Sequence, residues 1–428
     1  MTLGHQRAKT YLADLITQYG LPALAERLRP KTGSQPAHVP GRSDISLDVV
    51  ESRWTFLGAD DAVKAQLLDS WSIEHMAAYA QNIEHFIGTV KVPIGLAGPL
   101  RINGLFAQGD YYVPVATSEA SMVASYSRGA ILLTESGGAS VGLLSEGVTR
   151  APMFAFDNLH ELGTFIEWAL SHLEEIEAVA NATTRFGKLQ DIELSIEGTK
   201  VYFQFIYSTG DAAGQNMVTI ATYAAVDWIV KHSPVRPRTA YLEGNFSGDK
   251  KASALSFERV RGRKVVAEAT LPAELVKRWL HVEPAQLAEC ARIGTVGAVM
   301  SGTLGTQAHF ANGLAGLFLA CGQDVACVSE AAVGITDIEL TESGDLHACV
   351  TLPNLIVGTV GGGTKLPSQS ACLELLGVKG AGGARAFAEI AAALCLAGEL
   401  SLIGAIAAGE FAAAHARRAR GKELKTGL

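Results

Sequence analysis

The sequence predicts an α+β fold with a helical N-terminal unit, a large mixed α/β domain and a small ferredoxin-like βαββαβ domain inserted into it. Three observations predict it. A chain of 428 residues is too long for one compact core. Residues 30–44, PKTGSQPAHVPGRSD, are turn-rich and separate a helical beginning from the rest of the chain. Between 151 and 242, helical and alternating patterns succeed one another in the order βαββαβ, which folds two helices onto one face of an antiparallel sheet. The implied partition is 1–85 for the N-terminal region, 86–150 with 243–428 for the large domain, and 151–242 for the small one.

Taken in order, residues 1–29 read as an amphipathic helix and 59–85 as a second helical stretch. Residues 88–116 turn extended, with Val, Ile and Tyr punctuated by Gly and Pro. In 118–136, SEASMVASYSRGAILLTES, the apolar residues Met122, Val123, Ala130, Ile131 and Leu132 recur at helical spacing. In the insertion, 152–156 is a short strand, 159–180 an amphipathic helix, 188–197 and 200–208 two strands joined at Glu197-Gly198-Thr199, 212–232 a helix and 237–242 extended. Farther on, Ser343-Gly344-Asp345 supplies the turn of a hairpin over 335–351. A last helix, about 385–416, ends in the basic run at 417–420, where positive charge suits a helix C-terminus.

Composition narrows the function. Hydrophobic residues make up 48% and charged residues 18% of the chain, and the formal net charge is -8, so nucleic-acid binding is disfavoured. Arg128, Arg150, Arg185, Lys250 and Lys251 could supply local positive charge for an anionic ligand. The six cysteines form no CxxC pair, which reads as a reduced, cytoplasmic protein, and with no HExxH present no metal is expected. The N-terminus has no secretory apolar core. The most membrane-like stretch, 390–414, is interrupted by Glu399 and Glu410, so a buried helix of small residues is the better reading.

Two motifs are lures. Gly138-Ala-Ser-Val-Gly142 matches the GxSxG of a hydrolase elbow, which needs a strand before the serine and a helix after it. Here a helix precedes it, so a helix C-cap and turn is expected. The loop at 358–364, GTVGGGT, lacks the order of a Walker A loop, and no GxGxxG supports a Rossmann domain. Its adjacent glycines still leave backbone N–H groups open to a phosphate.

Four stretches place an ionisable residue among small or apolar neighbours: ATSEAS around Glu119, GDKKAS around Lys250, CGQDVA around Asp324, and GEFAAAH leading to His415. Singly, each reads as a satisfied structural group or a solvated charge. Together with VPIGLAGPL (92–100), VPVATSEA (113–120), IVGTVGGGTKL (356–366) and LAGELSLIGAIAAG (396–409), in matching order over roughly 84–416, the chain resembles the HMG-CoA reductase family. It is more similar to class I than to class II, and no membrane anchor of the eukaryotic kind is expected.

The resemblance implies an NADP(H)-dependent four-electron reduction of 3-hydroxy-3-methylglutaryl-CoA to mevalonate and free CoA, with an active site between subunits and hence a homodimer or larger homo-oligomer. It implies Glu119 as acid, Lys250 as cation, Asp324 as orienting aspartate and His415 as histidine. Thr184 and Arg185 lie where the family holds the 2′-phosphate. Asp211, Gly214 and Asn216 match the dinucleotide stretch, with Gly361 and Gly362 beside it. Ser125, Arg128 and His309 match CoA contacts, while Arg150, Asp249, Lys251 and Asn312 match acyl-group contacts. The chemistry agrees with those residue types. A lysine cation stabilises a developing oxyanion, a buried carboxyl can donate a proton near neutral pH, and a histidine can protonate a departing thiolate.

There are departures. Glu243 replaces a serine that helps bind the substrate carboxylate, Arg292 or Ile293 falls where a second lysine is expected, and IEHFIG (83–88) replaces ENVIG. The same chemistry on another acyl-CoA therefore stays open, as does, less favourably, a non-catalytic acyl-CoA- or nucleotide-binding homologue.

Overall fold

The computed structural model describes residues 5–31, 33 and 36–412. Contacts divide the chain into two units, one of residues 1–66 with 84–87 and the other of 67–83 with 88–428.

In the first unit the helix expected over 1–29 is two helices, His5–Tyr19 and Leu21–Leu28. They are divided at Gly20, whose φ of 76° belongs to glycine. The helix Leu47–Leu57, which the pattern did not announce, ends at Gly58 in the left-handed region. It carries the fully buried Arg53, whose guanidinium donates to the carbonyls of Pro40, Arg42, Asp44 and Phe86. One arginine thus ties four loop carbonyls together. The stretch 59–85 is not continuous. It forms Asp61–Leu67, Ser70–Glu74 and a 3₁₀ turn Met76–Tyr79, because Asp69 caps a fresh start by accepting the Ser72 N–H at 2.8 Å.

The second unit is built on a ten-stranded sheet. Its strands are β1 Ile94–Gly104, β2 Gln108–Ala116, β3 Ala139–Arg150, β4 Met153–Ala155, β5 Lys188–Glu197, β6 Lys200–Ser208, β7 Thr239–Tyr241, β8 Gly262–Leu271, β9 Ile335–Leu340 and β10 Leu346–Leu355. The main path runs β7-β4-β6-β3-β8-β10-β9, with β1 pairing β2 and β3, and β5 pairing β6. Only β1 with β3 is parallel. The helix expected in 118–136 is Met122–Glu135. The turn expected at 138–142 is confined to Gly137 and Gly138, at φ 103° and 101°, after which β3 begins. Ser140 therefore lies within a strand, which excludes a strand-to-helix elbow.

The inserted segment has the predicted order. Its helices are Leu159–Ser171, Leu173–Ala182 and Gln215–His232, and its strands lie in the order β7-β4-β6-β5 with every pair antiparallel. Phe154, Phe156, Phe165, Phe203, Phe205 and Tyr207 fill its core, all fully buried. The single helix expected over 159–180 breaks at His172, whose Nδ1 bonds the Trp168 carbonyl at 2.8 Å and competes with the helical ladder.

The last described helix, Ala384–Ala407, is the one helix among the described residues long and apolar enough to cross a membrane, yet 83% of its most apolar window is buried inside the protein. Two fully buried glutamates explain its place. Glu389 accepts the N–H groups of Leu105, Phe106 and Ala107 in the β1–β2 turn. Glu399 accepts those of Ala308 and His309, together with the Thr336 hydroxyl. The helix stops at 407 rather than 416, where Gly409 turns left-handed at φ 68°. The basic run 417–420 and His415 lie outside the described residues.

Candidate active site

Lys250 sits in a turn set by Gly248 at φ 75° and by its own φ of 55°, a conformation that costs an L-residue about 1 kcal/mol or more. Its ammonium lies 2.9 Å from the Asp324 carboxylate, and that hydrogen bond raises its pKa above the ordinary 10.5. Asp324 caps the 3₁₀ turn Val325–Cys327 by accepting the Ala326 N–H at 3.1 Å. Burial pushes its carboxyl up, but Lys250, the Ala326 N–H and Gln215 together bring it below 3.8. The Gln215 carboxamide reaches Asp324 at 3.4 Å and the Cys327 Sγ at 3.0 Å. It does so from the first residue of the helix Gln215–His232.

Behind the lysine runs a chain of alternating charges. Glu243 meets Arg150 at 3.3 Å, Arg150 meets Asp249 at 3.2 Å, Asp249 meets Arg261 at 2.7 Å, and Arg261 meets Glu330 at 2.6 Å. Arg150 and Arg261 are buried and Glu330 fully so. Burial raises the Glu330 pKa, and Arg261 opposes that rise. Glu243 is turned onto Arg150 and onto the N–H groups of Ala151 and Phe246. Its charge is therefore engaged from within the protein. Lys251 donates to the Asp249 carbonyl at 2.8 Å.

The segment 211–216 joins this turn to the glycine loop. The Asp211 carbonyl accepts from Thr359 and Val360. Its carboxylate accepts from Gly382 and Ala384 at the start of the long helix. Gly214 caps the helix Gln215–His232 at φ 79°, and a Cβ there would lie 2.2 Å from the Thr209 Cγ2, so only glycine fits. Asn216 is exposed. Gly361 and Gly362, both at positive φ, have open space where side chains would stand, which suits close approach by a nucleotide. Thr184 accepts the Gly187 N–H at 3.1 Å. Arg185 is exposed and makes no ion pair among the described residues, so its charge is available to a phosphate.

Glu119, Ser125, Arg128, His309 and Asn312 line one cavity of about 320 Å³, together with Tyr126, Glu410 and Phe411. Ser125 and Arg128 both bond the Ser401 hydroxyl, at 2.9 and 3.0 Å, and Arg128 also bonds its carbonyl. Asn312 and the His309 Nδ1 are 2.7 Å apart. The Glu119 side chain, expected to be buried, is exposed in the single chain. Among the described residues no hydrogen bond or ion pair joins it to Lys250 or Asp324. Ser401, Gln215, Arg261 and Glu330 escaped the sequence reading. Glu330 left a trace as a carboxylate in the apolar run CVSEAAVG, and Ser401 lies inside the motif at 396–409 without standing out there.

A profile of the hydroxymethylglutaryl-coenzyme A reductase family matches residues 49–420. The 3-hydroxy-3-methylglutaryl-coenzyme A reductase of Methanothermobacter thermautotrophicus is 40% identical over 87% of this chain and 94% of its own length. That of Pyrococcus horikoshii is 42% identical over 82% and 87%. In three dimensions the chain resembles the NADPH-bound class II enzyme of Streptococcus pneumoniae, with a TM-score of 0.63 and 20% identity over 83% of this chain and 96% of that one.

Proposed function

The chain belongs to the hydroxymethylglutaryl-coenzyme A reductase family, and from that premise we propose that it reduces 3-hydroxy-3-methylglutaryl-CoA to mevalonate and free CoA in the mevalonate pathway. The observation that carries this is the Lys250 ammonium held 2.9 Å from Asp324, with Gln215, from the start of the adjacent helix, reaching the same carboxylate. NADPH, when bound, would supply one hydride per molecule, so two molecules would be used in succession. Lys250 stabilises the oxyanion that each hydride transfer builds, and Asp324 keeps the lysine charged and aimed. Glu119 donates the proton to the carbonyl oxygen and His415 protonates the leaving thiolate.

Thr184 and Arg185 hold the 2′-phosphate, which favours NADP(H) over NAD(H). Asp211, Gly214 and Asn216 of the inserted domain, 151–242, shape the rest of the dinucleotide seat together with Gly361 and Gly362 of the large domain. Ser125, Arg128 and His309 contact CoA, and Arg150, Asp249, Lys251 and Asn312 surround the acyl group. Identity of 40% and 42% to archaeal relatives, against 20% to a class II chain, favours class I. Six free cysteines favour a reducing cytoplasm.

The working form is a homodimer or larger, in which Glu119 of one copy meets Lys250 and Asp324 of another. Two features support it. Glu119 is exposed, and the helix Pro284–Ser301 leaves Ile293, Val296, Val299 and Met300 more than half exposed, an apolar stripe of the kind that marks an interface. Because Glu243 stands beside Arg150, the second reading is the same reduction of an acyl-CoA with a different distal group. Purified protein with HMG-CoA should consume two NADPH for each thiol released and form mevalonate. No NADPH oxidation with HMG-CoA, alongside turnover of another thioester, would favour the second reading.

A further inference from the structure

Lys250 is gripped at both ends by one short segment. Its ammonium meets Asp324, and six residues later Glu330 accepts the Lys250 backbone N–H at 3.2 Å. Glu330 belongs to the helical turn Val328–Ala331, which comes directly after the 3₁₀ turn that Asp324 caps. A carboxylate with no solvent exposure is costly unless paired. Here Arg261 donates to both of its oxygens. Arg261 also holds Asp249, the residue before Lys250, at 2.7 Å, and its own N–H is fixed by the Asn354 side chain at 2.9 Å. Two adjacent residues of the lysine turn are thus fastened to one buried pair. A lysine at φ 55° persists only where its surroundings over-determine it.

We propose that Glu330, paired with Arg261, is a positioning residue that fixes the backbone of Lys250, so that residues 324–330 set both the place of the main chain and the direction of the ammonium. This rests on the catalytic role proposed for Lys250. The grip itself is a property of the fold and can be read independently.

The test compares two variants. Glu330→Gln keeps an acceptor for the Lys250 N–H at nearly the same volume. Glu330→Leu combined with Arg261→Met removes both the acceptor and the charge pair without leaving one of the two buried alone, an exchange buried pairs tolerate, and Asp249 keeps Arg150 as its partner. In the double variant, exchange of the Lys250 amide hydrogen should accelerate, and kcat with HMG-CoA and NADPH should fall by roughly 10- to 100-fold, the scale of a displaced catalytic group. KM for NADPH should stay unchanged, and Glu330→Gln should restore kcat to near the parent value. Wild-type amide protection in a folded double variant would overturn the inference, as would a glutamine variant no better than the leucine one. If Lys250→Ala leaves turnover intact, the catalytic role of the lysine fails, while accelerated exchange in the double variant still reports the grip.

Discussion

Lys250 and Asp324 hold each other charged, and the signs fix a pH window. A lysine whose pKa rises on folding stabilises fully below its unfolded value and loses that contribution as pH climbs through the folded one. An aspartate whose pKa falls stabilises above its unfolded value and loses that contribution as pH drops through the folded one. With ordinary values of 10.5 and 3.8 shifted outward, the pair stays intact between them. Any limb in the kcat profile between about pH 5 and 9 must then come from groups outside this pair. Asp324→Asn should cost roughly 100-fold in kcat and bring the alkaline limb of the profile down, as read by initial rates across pH. At Glu243 the expectation runs the other way. Glu243→Ser releases Arg150 from a partner 3.3 Å away and should lower KM for HMG-CoA by about 3- to 5-fold, on the scale of 1 kcal/mol for a partly exposed pair. A CoA thioester without a distal carboxylate should show no change.

Among the elements, the long helix Ala384–Ala407 does the tying. Glu399→Ala would remove the acceptor of two N–H groups and of a buried hydroxyl, and should destabilise the fold by about 2 kcal/mol in urea unfolding, with Glu399→Gln costing less. A midpoint unchanged by the alanine would contradict that role. This helix was legible as buried because its glutamates stand in an apolar run. What they bind was not, since the β1–β2 turn and residues 308–309 are distant in sequence. The hairpins β5–β6 and β9–β10 were legible because alternation and turn residues act locally. Strands β3 and β8 were missed, the first because the glycine pair before it reads as a helix end. The breaks at Gly20 and His172 depend on one backbone angle and one side-chain bond, which periodicity does not register.

At the scale of the whole molecule, the site residues fall into two groups within one chain. One is the turn of Lys250, Asp324 and Gln215; the other is the cavity of Glu119, Ser125, Arg128, His309 and Asn312. Sequence motifs named most of these positions, because glycine loops and charges in small-residue surroundings stand out. The buried chain from Glu243 to Glu330 did not stand out, since its five charges meet only after β3, β8 and the lysine turn have packed together. Light scattering should find a dimer or a larger assembly at micromolar protein, with a charge placed on the apolar stripe, Val296→Asp, lowering the mass and the activity together.

Subunit complementation tests the shared site directly. Glu119→Gln and Lys250→Ala are each expected to be inactive. Mixed under subunit exchange, half of the dimers become hybrids and each hybrid carries one intact site, so activity should return to about a quarter of wild type. If the mixture stays inactive although hybrids form, or if Lys250→Ala alone keeps full activity, the meeting of a carboxyl and a lysine between copies is contradicted.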